Sequence, residues 1–172
     1  MSTAESGGLR RSPSWFWGVA GLLAVLVVVL AVLTVRSGLD ELNGSGRADQ
    51  RDKALAVARQ QAINLGSIDY RNLQADIQRI LTGSTGQFRE TFQSGSSQIT
   101  QGATQQQTVS TVQQAHVALV SFSGDSAEAI VSLSTVTTSV NAKQGQANTY
   151  RYQMELSKVG GRWLLSKMEL VP

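Results

Sequence analysis

The sequence predicts an α+β domain behind a single membrane-spanning helix, and three observations carry that prediction. The 21 residues from Trp15 to Val35 hold no charge. Apolar residues then recur every three or four positions between Leu55 and Phe92. From about Gln107 the repeat changes to two, the period of a strand with one buried face. Helices followed by hairpin-linked strands give a layer of helices on an antiparallel sheet. The chain thus divides into a tail (1–14), a transmembrane helix (15–35), a linker (36–48) and an α+β domain (49–172).

As a helix, Trp15–Val35 would be about 31 Å long, close to the bilayer's hydrocarbon thickness of about 30 Å. Its thirteen Leu, Val and Phe residues favour insertion, and Trp15 and Trp17 stand at one edge, where such rings prefer the headgroup level. A cleavable leader would have a shorter apolar region and a small-residue cleavage site. This run ends instead in Thr34-Val35-Arg36-Ser37. Orientation is a tie: Arg10 and Arg11 lie before the run and Arg36, Arg47, Arg51 and Lys53 after it, but long segments cross largely regardless of charge.

Residues 37–172 carry twelve Lys and Arg against eleven Asp and Glu, a balance that lacks the charge footprint of a nucleic-acid binder. With no cysteine, disulfide and thiolate chemistry are absent. Pro13 and Pro172 flank the domain, so no proline interrupts its elements.

Ser37 to Ala48 is Gly- and Ser-rich, the composition of a linker. Asp49 is placed as the N-cap of a helix to Leu65, with Leu55, Ala58, Ala62 and Leu65 as its apolar stripe. Gly66 ends it. Ser67 or Asp69 caps a second helix that buries Leu73, Ile77, Ile80 and Leu81, with Gly83 as its C′ residue. A short third helix pairs Phe88 with Phe92, four apart, and Ile99 and Ala103 extend its pattern weakly. No Asp, Glu, Lys or Arg falls between Thr91 and Gly124, a stretch rich in Gln, Ser and Thr.

In the first strand Val112, Ala118, Val120 and Phe122 share one face, with Val117 and Leu119 opposite. Ser123–Ser126 is a turn. In the second strand Ala129, Val131 and Leu133 alternate with Glu128, Ser132 and Ser134. A polar loop at Asn141–Asn148 precedes a third strand with Tyr150, Tyr152, Met154 and Leu156 on one face. Gly160-Gly161 supplies a hairpin turn at positive φ. The last strand, Trp163–Val171, shifts its apolar face between Leu165 and Met168, which predicts a bulge.

The stretch Leu65-Gly-Ser-Ile-Asp-Tyr-Arg-Asn-Leu-Gln-Ala-Asp-Ile-Gln-Arg-Ile-Leu-Thr-Gly-Ser-Thr-Gly-Gln-Phe88 resembles the signature of the Mce-associated membrane proteins of actinobacteria. The ending Val159-Gly-Gly-Arg-Trp-Leu-Leu-Ser-Lys-Met-Glu-Leu-Val-Pro172 is similar to the close of those chains. The resemblance implies a cone-shaped domain similar to nuclear transport factor 2 (NTF2-like), whose helices pack on a curved antiparallel sheet. It also implies a single-pass protein of the cytoplasmic membrane, N-terminus inside and domain on the outer, cell-envelope side. The implied function is a non-catalytic accessory subunit that binds or stabilises a Mce-type lipid or sterol importer. Its partners would be Mce subunits and their permeases, with no nucleic acid. A subunit of a conjugation or secretion channel, or a small-lipid carrier holding a lipid in the cone, remain alternatives.

Folds of this kind also host enzymes, whose sites need a carboxylate or a His–carboxylate pair inside the cone. His116, the sole histidine, falls on the strand face of Ala118, Val120 and Phe122, where a polar residue in or at the rim of the sheet is the simpler reading. Asp69 and Asp76 read as a helix cap and a solvated position, Tyr70 as packing under the sheet, and Arg71 as a pocket mouth or docking residue. Gly83, Gly86, Gly160 and Gly161 read as turn residues without a phosphate-cradling context. No nucleophile–base–orienter set or metal-ligand spacing is visible. The expectation is therefore no enzyme, no cofactor and no metal, with no catalytic, cofactor-binding or metal-binding residue assigned.

Overall fold

The computed structural model describes residues 46–171, so the predicted tail, the transmembrane helix at 15–35 and most of the linker lie outside the described residues. Among the described residues no helix is long and apolar enough to cross a membrane. Helix α1 covers residues 46–66, so Gly46, Arg47 and Ala48 are already helical. Asp49 lies within this helix instead of capping it, and its carboxylate pairs with Lys53 one turn on at 2.6 Å. The buried side of α1 is built on Ala54, Ala58 and Ala62, all at 0% exposure. Small side chains at four-residue spacing let the helix lie close on the sheet. The larger Leu55 and Leu65 of the predicted stripe stay half-buried at its flanks.

Helix α2, Leu73–Thr82, buries the predicted Leu73, Ile77, Ile80 and Leu81, and Asp76 with them. Its N-cap position is Asn72, which uses no side-chain cap, so neither Ser67 nor Asp69 plays that part. Gly83 ends α2 at φ −92°, outside the left-handed region expected of a C′ glycine. Helix α3, Gly86–Gln106, is long where a short helix is expected, because nothing in the uncharged stretch breaks it. It stops at Gln107, whose left-handed backbone (φ 49°) turns the Thr108 N–H onto Ala103 O at 2.9 Å, while Gln107 N–H donates to Thr104 O at 3.2 Å. Phe88 and Phe92 stack on one face with ring centroids 5.7 Å apart.

Four antiparallel strands follow in sequence order across one sheet: β1 (Val109–Ser123), β2 (Ser126–Ser139), β3 (Ala142–Val159) and β4 (Arg162–Leu170). The predicted polar loop Asn141–Asn148 is strand instead: only Val140 and Asn141 turn, and Ala142 onward pairs with the far half of β2. Its turn is tied to the end of α3, Val140 N–H donating to Gln106 O at 2.9 Å. The β3–β4 turn uses Gly160 and Gly161 at φ 57° and 79°, as predicted. The predicted β4 bulge is also present, with Ser166 the extra residue between the Leu156↔Leu165 and Glu155↔Lys167 pairs.

Strand β1 departs from its predicted faces. Register shifts between Val112 and Gln114 and between Leu119 and Ser121 each insert one residue. The inward side chains are therefore Val112, Ala115, Val117, Leu119 and Phe122, while Ala118 and Val120 face solvent. A single bulge inverts every side chain beyond it, which uniform alternation cannot anticipate.

The helices cover one face of this sheet in two adjoining clusters. One joins Ala62, Ile80 and Phe88, one from each helix, to Val131, Leu133, Met154 and Leu165. The other sets Ala54 and Ala58 against Ala127, Ala129, Leu156 and Trp163. Both helix–helix connections are stitched to edge strands. Tyr70 N–H donates to Thr108 O at 3.0 Å and Ser110 N–H to Ile68 O at 2.7 Å. Thr85 N–H donates to Leu165 O at 2.8 Å and Leu165 N–H to Gly83 O at 3.0 Å.

Candidate functional site

The residues singled out in the sequence do not converge. His116 lies exposed on the helix-free face of the sheet, opposite Ser132, because the first β1 bulge turns it outward. Asp69 forms a fork with Arg71: Arg71 Nη2 approaches Asp69 Oδ2 at 2.6 Å and Arg71 N–H donates to Oδ1 at 3.0 Å. The Arg71 side chain and backbone N–H lower the Asp69 pKa, and Asp69 in turn raises that of Arg71. Tyr70 is half-buried beside that guanidinium, 5.9 Å from ring centre to carbon, and does not pack under the sheet.

Asp76 is buried at 4% exposure, against the expectation of a solvated position. It accepts the Asp69 backbone N–H at 2.9 Å and pairs with Arg79 at 3.0 Å. A carboxylate so engaged ties the α1–α2 connection to α2, and burial without those partners would be costly. These acids are structural ties. Among the described residues, no group of three or more His, Cys, Asp or Glu side chains could hold a metal ion.

Among the depressions on the surface of the described residues are two of more than 500 Å³ that sequence periodicity alone could not locate. One runs between α2 and α3, about 640 Å³, with Ile77 and Leu81 at its base and Gln74, Gln78, Gln93 and Gln101 along its sides. The uncharged stretch of the sequence thus forms one wall of an uncharged groove. The other, about 530 Å³, lies between α1, the end of α2 and the β3–β4 hairpin. Its ionisable lining residues are all cations, Lys53, Arg79 and Arg162, set around Val57, Trp163 and Leu164.

Gln61 also borders this second cleft, 3% exposed and without a hydrogen-bond partner for Oε1 among the described residues. Trp163 is held in place by donating its indole N–H to Gln50 Oε1 at 3.2 Å. No role is assigned to Arg162 from the sequence, and the one local trace of this cleft is its place beside Trp163 straight after a glycine hairpin. Only the packing of α1 beside that hairpin turns it into a pocket wall.

Comparison with known proteins agrees with this architecture. The periplasmic domain of DotI covers 69% of this chain and 92% of its own, at 14% identity and a TM-score of 0.54. An IcmL-like type IV secretion system protein from Legionella pneumophila covers 71% and 92%, at 13% identity and a TM-score of 0.55. At these identities the likeness is one of fold: helices packed on an antiparallel sheet. In sequence, the chain is 29% identical over 154 residues to the uncharacterized protein Rv1363c of Mycobacterium tuberculosis (strain ATCC 25618 / H37Rv). That match takes in 87% of this chain and 59% of the relative's length. A family model described as uncharacterized protein Rv1363c/MT1408-like matches residues 18–172, and the chain belongs to that family.

Proposed function

We propose that the protein is a non-catalytic accessory subunit, anchored by Trp15–Val35, that binds or stabilises a Mce-type lipid importer in the cell envelope. In this reading residues 1–14 stay inside and the NTF2-like domain stands on the outer side of the cytoplasmic membrane. The observation that carries it is the state of the space between helices and sheet. Ile80, Leu133, Met154 and Leu165 fill it at 1% exposure or less and touch one another. A carrier or an enzyme of this architecture works in a hollow there, whereas among the described residues the centre of that space is packed, and only a pocket of about 420 Å³ opens at its margin between α3 and β4. The resemblance of Leu65–Phe88 and Val159–Pro172 to Mce-associated proteins supplies the partner. The likeness to the periplasmic domain of DotI supports an envelope location for the domain.

The membrane helix adds its own mechanism. Confinement to two dimensions raises the effective concentration of the domain near other membrane proteins without any further contact.

The test is affinity purification of the tagged full-length protein from mildly solubilised membranes, with every co-purifying protein identified. Mce subunits and their permeases should be recovered, and deletion of the gene should lower Mce subunit abundance and lipid uptake. Unchanged abundance and uptake would refute the role. The fold shared with the IcmL-like protein favours a second reading, a subunit of a secretion channel. Recovery of a secretion ATPase in place of permeases would select it.

A further inference from the structure

We infer that the cleft between α1, α2 and the β3–β4 hairpin is a binding site for a small amphiphile with an anionic head. This assignment is independent of the accessory role, since it concerns a ligand and not a protein partner. Ligand sites are concave, mostly apolar and a few hundred Å³ in volume, with a few polar groups that fix orientation. The cleft, at about 530 Å³, meets that description, and its lining carries no carboxylate.

Each of its three cations can serve an anion. Arg162 has no salt-bridge partner among the described residues. It stands directly after the Gly160-Gly161 turn, so its backbone is fixed while its side chain is exposed. Arg79 gives Nη2 to Asp76, which leaves most of its five N–H donors free. Among the described residues Lys53 is held only by Asp49, in a pair with both side chains 57% exposed, and exposed pairs of this kind hold weakly. Phosphate and carboxylate are the groups that such guanidinium donors match in geometry.

The remaining lining has an apolar wall beside the polar side chains of Gln60, Gln61, Asn64 and Thr82. Val57 from α1 and Trp163 from β4 form that wall, and the indole N–H, spent on Gln50, leaves the Trp163 ring to act as an apolar surface. A free inorganic anion would gain nothing from that wall, and a neutral apolar molecule nothing from the cations. The two halves together select a molecule with a charged head and a short or single chain. A lipid headgroup with its chain and a soluble organic phosphate share this chemistry.

The experiment uses full-length protein in phosphatidylcholine nanodiscs, carrying Trp15→Phe and Trp17→Phe so that Trp163 is the only tryptophan. Its emission is followed during titration with octyl phosphate, inorganic phosphate or octyl glucoside. Octyl phosphate should give a saturable change. Arg162→Gln should weaken it roughly tenfold or more, the loss of one charge-assisted hydrogen bond. Val57→Glu, which sets a carboxylate in the cleft, should abolish it.

Inorganic phosphate binding as tightly as octyl phosphate would overturn the amphiphile in favour of a soluble anion. An equal response to octyl glucoside would overturn the anionic head. Saturation unchanged by Arg162→Gln would overturn the site itself. Arg162 is an exposed residue beside a turn, so its variant keeps the fold, and an unaltered far-UV circular dichroism spectrum checks that.

Discussion

Replacing Gly83 by alanine sets two physical effects against each other. Gly83 adopts φ −92° and ψ 11°, backbone that alanine takes up without strain. By that term alone the substitution would stabilise by about 0.4–1 kcal/mol, through a less disordered unfolded chain. The surroundings say otherwise. A Cβ at this position stands 1.3 Å from Gln61 Nε2 and 2.5 Å from its Cδ. Gln61 is 3% exposed, and its amide must leave this site for the neighbouring cleft that it borders. Overpacking of this kind costs about 1–3 kcal/mol, and overlap this deep belongs at the upper end. Subtracting the entropic gain leaves a net loss of about 2 kcal/mol, a fall in Tm of roughly 6–10 °C for a domain of this size.

Urea unfolding followed by far-UV circular dichroism measures the loss in the full-length protein. The decisive arm is the double variant. With Gln61→Ala already in place the clash is gone, so Gly83→Ala should be neutral or mildly stabilising, and the two substitutions should couple by about 2–3 kcal/mol. A stabilising Gly83→Ala in the native background, or an undiminished cost beside Gln61→Ala, would refute the reasoning.

The bulged register of β1 predicts that Val120→Lys shifts stability by less than about 0.5 kcal/mol, while Leu119→Lys costs well over 1 kcal/mol by burying an ammonium; urea midpoints of the two variants separate the readings. Trp163→Phe removes the hydrogen bond to Gln50 and part of a buried ring, and the hydrogen-bond share, about 0.5–1.5 kcal/mol, should appear as the coupling between Trp163→Phe and Gln50→Ala in a double-mutant cycle. Burial, with Tyr150 alongside, raises the Tyr152 pKa above its ordinary 10.0. The folded value lies above the unfolded one, so the stabilisation is fully present below about pH 10 and is lost as pH rises through the folded value. Tyr152→Phe should remove that part of the alkaline decline in unfolding midpoint. Lys167, whose pKa Glu169 and Glu155 raise, should keep its own share of the decline in the same variant.

The candidate cleft illustrates how composition hides a site. Lys53, Arg79 and Arg162 are scattered over more than a hundred positions, and each alone reads as a solvated surface cation. Their meeting depends on α1 lying along the end of β4, which the small side chains of Ala54 and Ala58 permit. Asp76 fails as a sequence reading for a related reason. A carboxylate on an amphipathic helix is ordinarily solvated, and only the chain entering α2 from Asp69 encloses this one.

Periodicity by itself determined the order of elements, the buried face of α2, the inward faces of β2 and β3, the glycine hairpin and the β4 bulge. These follow from local rules: one apolar stripe per helix, alternation per strand, positive φ at the turn. Tertiary structure alone decided the faces of β1, the length of α3, the strand at Ala142–Asn148 and the role of Gly83. Each depends on a partner remote in sequence: β2 sets the register of both its neighbours, and Gln61 occupies the space where a side chain at 83 would stand. Local chemistry cannot encode such partners, because burial is a property of what the folded chain brings alongside.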